Sequence, residues 1–113
     1  FREMFAAGAV DYAQPSVTKV GGVTEFQKVA VLADAAGVTL MPHSPYFGPG
    51  FLATLQLMAA RGEPGGMIER YHMDLEASLY GELVTPVKGR FVVPTGPGLG
   101  CDPDPEVLKT YAV

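Results

Sequence analysis

Between Ala9 and Tyr71 the chain alternates short apolar runs with longer stripes of helical period, and Gly or Pro stands at most junctions. That alternation decides the fold class. Ala9-Val10-Asp11-Tyr12-Ala13-Gln14-Pro15, Val38-Thr39-Leu40-Met41-Pro42 and Met67-Ile68-Glu69-Arg70-Tyr71 read as strands. Between the first two, Thr24 has Gln27 three residues on, the spacing of a capping box that starts a helix. Phe26, Val29, Ala30, Ala33 and Ala36 then fall on one face until Gly37 stops the helix. Between the second and third runs, Gly50 to Ala60 repeats the pattern. Its stripe is Phe51, Leu52, Leu55, Met58 and Ala59, and Gly62 and Gly65-Gly66 break it.

A helix in each strand-to-strand connection implies an α/β fold with parallel strands and right-handed crossovers. Parallel sheets need helical cover and usually more than three strands. Three strands therefore make an arc of a sheet. The opening points the same way: Phe1 to Gly8 reads as the last turns of a helix closed by Gly, with no initiator Met. The sequence is expected to be part of something longer. From Asp74 its character changes. Leu83-Val84-Thr85-Pro86-Val87 and Arg90-Phe91-Val92-Val93-Pro94 flank Lys88-Gly89 as a hairpin whose prolines confine it to an edge. Pro105 to Tyr111 reads as a last short helix or a tail lying on another domain.

Composition removes several classes of function. The net charge of −4 and the absence of a basic run argue against nucleic acid or an anionic membrane as partner. No apolar stretch is long enough to span a bilayer, and no signal-peptide pattern opens the chain. Cys101 is the one cysteine, which excludes an internal disulfide and a cysteine-based metal site. A cytoplasmic setting is the default expectation.

The strand ends of a parallel α/β fold share one rim, and that rim carries function. Here it presents Gln14 and Ser16, then His43 and Ser44, then Glu69 and Tyr71. A hydroxyl, an imidazole and a carboxylate thus arrive at one edge. An imidazole changes charge near neutral pH and so suits proton transfer. His43, between an apolar strand and the loop Tyr46-Phe47-Gly48-Pro49-Gly50, is placed for that work, although a lone histidine is as readily structural. From spacing alone, Glu69 reads as a solvated edge carboxylate paired with Arg70 or another neighbour, and His72 as a surface residue. Tyr46 and Phe47 either line a pocket or pack. Gly21-Gly22 could cradle a phosphate at a helix N-terminus or simply make a turn. Gly96-Pro97-Gly98-Leu99-Gly100 lacks the Lys-Ser/Thr ending of a phosphate loop and reads as a structural turn.

Several of these segments, in this order and spacing, resemble the mandelate racemase-like branch of the enolase superfamily. They are Asp11 to Pro15, Val20-Gly21-Gly22-Val23-Thr24-Glu25, Met41-Pro42-His43-Ser44, Ile68-Glu69 and Gly96 to Gly100. The resemblance implies the C-terminal portion of a (β/α)7β modified TIM barrel. Residues 1–73 would supply strands six to eight, and 74–113 a hairpin and tail that return to a capping domain. It also implies a Mg²⁺-dependent enzyme that abstracts the proton α to a carboxylate, giving an enediolate. His43 matches the family's general base or acid on the seventh strand. Glu69 matches a glutamate that donates a hydrogen bond to the substrate carboxylate, a role that needs a protonated, buried side chain. Gln14, Ser44 and Tyr46 are expected to bind substrate.

Two departures follow from the same comparison. Ser16 stands where the family usually has an aspartate that orients the histidine. A serine can hydrogen-bond His43, but it cannot stabilise an imidazolium as a carboxylate would, so the base is weaker unless another carboxylate serves. Asp11 lies too early on its strand to be a confident substitute. The family's metal-ligand carboxylates and catalytic lysines belong to strands two to five, so no metal ligand is expected in this stretch. The implied substrate is a small carboxylate such as a sugar acid, in a homo-oligomer. Dehydration is the leading expectation, with racemisation or epimerisation of a 2-hydroxy acid the alternative. A noncatalytic carboxylate-binding relative or an inactive fragment is the reading of another class.

Overall fold

The computed structural model describes residues 1–62 and 66–112. Helix α1 (Arg2–Ala6) leads to strand β1 (Tyr12–Ala13), helix α2 (Val23–Ala36), strand β2 (Thr39–Leu40) and helix α3 (Pro49–Arg61). A 3-10 turn (Gly81–Val84) and helix α4 (Pro105–Tyr111) follow. The strands are parallel, with Tyr12 opposite Thr39 and Ala13 opposite Leu40. Thr39, Met41 and His43 donate their N–H groups to the carbonyls of Asp11, Ala13 and Pro15 at 3.0, 2.9 and 3.2 Å. The expected third strand is held at one point, a parallel bridge between His43 and Glu69 in which the Glu69 N–H donates to Pro42 C=O at 3.0 Å.

The strands are shorter than the apolar runs for a chemical reason. Pro15 and Pro42 have no N–H to return to the ladder. Pro42 turns its carbonyl toward the third strand but has no donor beside it. The ladder therefore narrows to isolated bonds at the end where His43 sits.

The sheet has one covered face. Ala13 and Leu40, each 2% exposed, join Phe26, Val29, Ala30 and Ala33 of α2 and Leu57 and Met58 of α3 in one apolar cluster. Phe51, Leu52 and Leu55 of α3 form a second cluster with Val84, packed by Tyr46, Tyr80 and Phe91. Ile68 touches both clusters. Full burial of Phe26 and Phe51 contributes roughly 1.5–3 kcal/mol each. On the opposite face Tyr12 is 51% exposed and Thr39 is exposed as well.

Several expectations need correction. Helix α2 starts at Val23 with Gly22 as its cap, and no side chain caps it, so the Thr24–Gln27 box is not used. Gly22 adopts φ +97 and its carbonyl accepts from the Phe26 N–H at 3.0 Å, which sets the cap two residues before Thr24. The Gly21-Gly22 pair is thus a helix-entry turn. Ala36 and Ala59 are exposed, because each lies at the end of its helix beyond the packed stripe. Thr54 and Leu57 are buried although off the expected stripe, since α3 is wedged between two clusters. The hairpin shrinks to one antiparallel pair, Val87 with Arg90, around a turn with φ +51 at Lys88 and +73 at Gly89. Those two positive angles are the signature of a type I′ turn. Leu83 and Val84 enter the 3-10 turn instead of a strand. Gly65, one of the expected helix breakers, lies outside the described residues.

Gly96 to Gly100 is a structural turn. The Gly96 N–H donates to Gly100 C=O at 3.1 Å, and a Cβ on Gly96 would meet that oxygen at 2.5 Å. Gln56 of α3 donates to Pro94 C=O at 2.7 Å and ties the loop down. Asp104 caps α4 by accepting from the N–H groups of Glu106 and Val107. No residue of α4 is buried, so that helix lies on the surface. No helix among the described residues is long and apolar enough to cross a membrane.

Helix α2 ends on Gly37 at φ +66 with no neighbour near its missing Cβ, so conformation alone decides substitution there. Gly37→Ala should cost about 1 kcal/mol through the left-handed backbone. Gly48→Ala, at an extended position with open space, meets no left-handed strain and loses only the preference for glycine over alanine at an N-cap, roughly 0.5 kcal/mol. Thermal unfolding of the two variants checks the difference.

Candidate active site

Continuing the β1–β2 pairing three residues past Ala13 and Leu40 brings Ser16 opposite His43. The next bridge sets His43 opposite Glu69. Ser16, His43 and Glu69 therefore stand in one row across the ends of three strands, on the uncovered side of the sheet. Alternation along β2 explains the facing: Leu40, Pro42 and Ser44 are buried toward the helices, while Met41 and His43 are partly open.

The row is not a simple line of contacts. His43 Nδ1 pairs with Glu69 Oε2, and the two side chains remain 27% and 33% exposed. Ser16 is buried, and its hydroxyl lies 3.0 Å from Thr18 Oγ1 and 3.0 Å from the Tyr46 hydroxyl. The expected Ser16–His43 hydrogen bond is replaced by these two. Tyr46 in turn stands edge-on to the imidazole, with centroids 6.2 Å apart and an interplanar angle of 81°. Ser16 therefore meets His43 through the phenol ring.

The Tyr46 phenol is held below the ordinary tyrosine range, first by the hydrogen bond from Ser16 and then by that from Thr18, with partial burial opposing both. These hydroxyls serve the phenolate as donors. Gln14 is exposed, on the same face as Tyr12 and opposite Met41 in the extended register.

Ser44 is a correction. Its hydroxyl donates to Thr54 Oγ1 at 3.1 Å, Thr54 donates on to Gly50 C=O at 2.8 Å, and both side chains are fully buried. One residue beyond His43, Ser44 necessarily points the other way, into the joint with α3. It supports the loop and does not reach the open face.

Arg70 is a second correction. It does not pair with Glu69, because adjacent strand residues face opposite sides. Its guanidinium lies 3.4 Å from the Phe47 ring centroid and 5.1 Å from that of Phe51. It donates to Val84 C=O at 2.8 Å through Nη2 and 3.3 Å through Nε, and to Tyr71 C=O at 3.1 Å. Burial draws its pKa below the usual arginine value. No periodic signal marks this clamp, which joins the third strand, the loop after His43 and the C-terminal segment. A cavity of about 300 Å³ beside it is lined by Phe47, Arg70, His72, Ser78 and Val84 among others, and neither His43 nor Glu69 lines it. His72 is exposed, as expected.

The family described as enolase C-terminal domain-like matches residues 1–107. The chain belongs to that family. It is 34% identical over 118 residues to a D-galactarolactone cycloisomerase of Agrobacterium fabrum, covering 96% of this chain and 31% of the relative. It is 32% identical over 111 residues to an arabinonate dehydratase of Saccharolobus solfataricus, covering 98% of this chain and 30% of the relative. A solved structure from Roseobacter denitrificans, provisionally assigned as a racemase, superposes with a TM-score of 0.62 at 26% identity, over 96% of this chain and 31% of that one. The chain thus spans about three tenths of the length of these relatives. As an enolase C-terminal domain-like chain it is the C-terminal portion of a (β/α)7β barrel.

Tyr46 should ionise at a lower pH than a free tyrosine. In an absorbance titration, Tyr46→Phe removes the early phenolate component, and Ser16→Ala moves that component to higher pH. A folded value below the unfolded one adds stability only above the unfolded pKa, and that gain is lost as pH falls through the folded value. Tyr46 therefore contributes no ionisation-linked stability at neutral pH.

Proposed function

We propose that this stretch supplies the proton-transfer side of a Mg²⁺-dependent enzyme acting on a sugar acid, with dehydration as the leading reaction. The observation that carries the proposal is the His43–Glu69 pair at the strand ends, partly open on the uncovered face of a sheet from this family. The names of the two curated relatives, one acting on arabinonate and one on D-galactarolactone, favour a sugar-acid substrate.

His43 takes the proton α to the substrate carboxylate, and the electrons of that C–H bond pass into the carboxylate as an enediolate. In dehydration the same imidazole returns its proton to the departing β-hydroxyl. In racemisation or epimerisation, the second reading, His43 serves one face of the enediolate and an acid from outside this stretch delivers a proton to the opposite face of the α-carbon; the racemase assignment of the solved neighbour favours it. Tyr46 edges the imidazole and Gln14 stands on the same open face, so both belong to the substrate wall.

The Mg²⁺ would offset the charge that develops on the carboxylate. Among the described residues no three His, Cys, Asp or Glu side chains converge to hold a metal ion. The steps assigned to His43 above use this stretch's own groups. Residues 74–113 we read as a tail that packs toward a capping domain. The exposed Val92, Leu108 and Tyr111, with Tyr71, Met73 and Leu75 just before them, are the apolar surface such packing would cover. A noncatalytic carboxylate-binding relative rests only on Ser16 in place of an aspartate, and turnover by the protein with serine there removes that reading.

His43→Asn in the complete protein should abolish exchange of the substrate α-proton with solvent on the histidine's face while substrate still binds. Exchange at the wild-type rate, followed by NMR in deuterated water, would take His43 out of the mechanism.

A further inference from the structure

We infer that Glu69 is the positioning carboxylate of His43, so that the partner missing at Ser16 on the first strand is supplied from the third. The inference rests on the reading of His43 as the proton carrier and departs from the expectation that Glu69 donates to the substrate carboxylate. Three observations converge on it. The backbone bridge sets residues 43 and 69 opposite each other, so their side chains leave the sheet together. Nδ1 of the imidazole is engaged by Glu69 Oε2, and among the described residues that is the carboxylate on the ring. Ser16, in register on the other side, has its hydroxyl committed to Thr18 and Tyr46.

The chemistry follows from the inventory of donors. A carboxylate accepts, so Nδ1 holds the proton and donates to it. That fixes the tautomer and leaves the Nε2 lone pair as the basic atom. Nε2 takes the α-proton, and the ring becomes an imidazolium flanked by the carboxylate. The Nδ1 proton stays on the ring throughout, and Glu69 ends the step as it began. The opposite strand edge does the work that an aspartate beside Pro15 would have done. An ionised carboxylate that accepts from Nδ1 has no proton to donate to a substrate, so the two roles of Glu69 exclude each other.

Glu69→Gln in the complete protein separates them. As a positioning residue, Glu69 should cost about 10–100-fold in kcat when neutralised, with KM unchanged. The ¹⁵N spectrum of the imidazole, taken without substrate, should show Nδ1–H in the parent and a loss of that single tautomer in the variant. A rise in KM with kcat preserved would overturn the inference, since it would put Glu69 on the substrate. So would an imidazole tautomer unchanged by the substitution. Neither readout repeats the exchange test on His43→Asn. If that test fails, the proton-carrier reading falls while the tautomer measurement still reports on the pair.

Discussion

The backbone hydrogen bond from Glu69 N–H to Pro42 C=O sets the position of the third strand beside the second. Without it, nothing in the ladder would align Glu69 with His43, because Pro42 offers no donor of its own. The alignment is then reinforced from outside the sheet. Ile68, the residue before Glu69, packs against both apolar clusters. Arg70, the residue after it, is held between Phe47 and the Val84 carbonyl. One side chain of the trio Ile68, Glu69, Arg70 thus faces the open side while its two neighbours anchor the strand from behind. Register matters here because a slip of one residue would send Glu69 to the buried face and Arg70 to the imidazole.

The same logic separates what supports the site from what belongs to it. His43 and Ser44 are consecutive, yet one is partly open and the other has no exposure at all. Ser44 and Thr54 satisfy each other inside the joint between the loop and α3, a buried polar contact with no orphaned group. Phe51 lies one turn before Thr54, edge-on to Phe91 at 4.8 Å, and connects the loop to the C-terminal segment. The loop after His43 is therefore fixed at its base by a hydroxyl pair and at its tip by the guanidinium stacked on Phe47. Gly50 is needed in between, since a Cβ there would collide with Thr18 Cγ2, and Thr18 is one of the two partners of Ser16.

Much of this was legible in the residues. The apolar stripe of Phe26, Val29, Ala30 and Ala33 and the stop at Gly37 follow from period and from the conformational freedom of glycine. The parallel order follows from a helix in each connection. The rim holding His43 and Glu69 follows from strand direction. Other features were not legible because they depend on contacts distant in sequence. Arg70 stacking on Phe47, the turning of Ser16 to Tyr46, and the burial of Thr54 have no local periodic signature. The C-terminal segment misled in a different way. Its Val- and Pro-rich composition suggests strands, but Leu83 and Val84 gain more from the 3-10 turn that buries Val84 under α3 than from an edge ladder interrupted by Pro86.

The account stands on the side-chain pairing of the imidazole with the acid on the neighbouring strand. The most direct measurement is a crystal structure of the complete protein with a nonreacting sugar-acid analogue bound. The account predicts the carboxylate of Glu69 on Nδ1 of His43, with Nε2 directed at the α-carbon of the analogue. A Glu69 side chain turned away from the ring and bonded to the carboxylate of the analogue would contradict it.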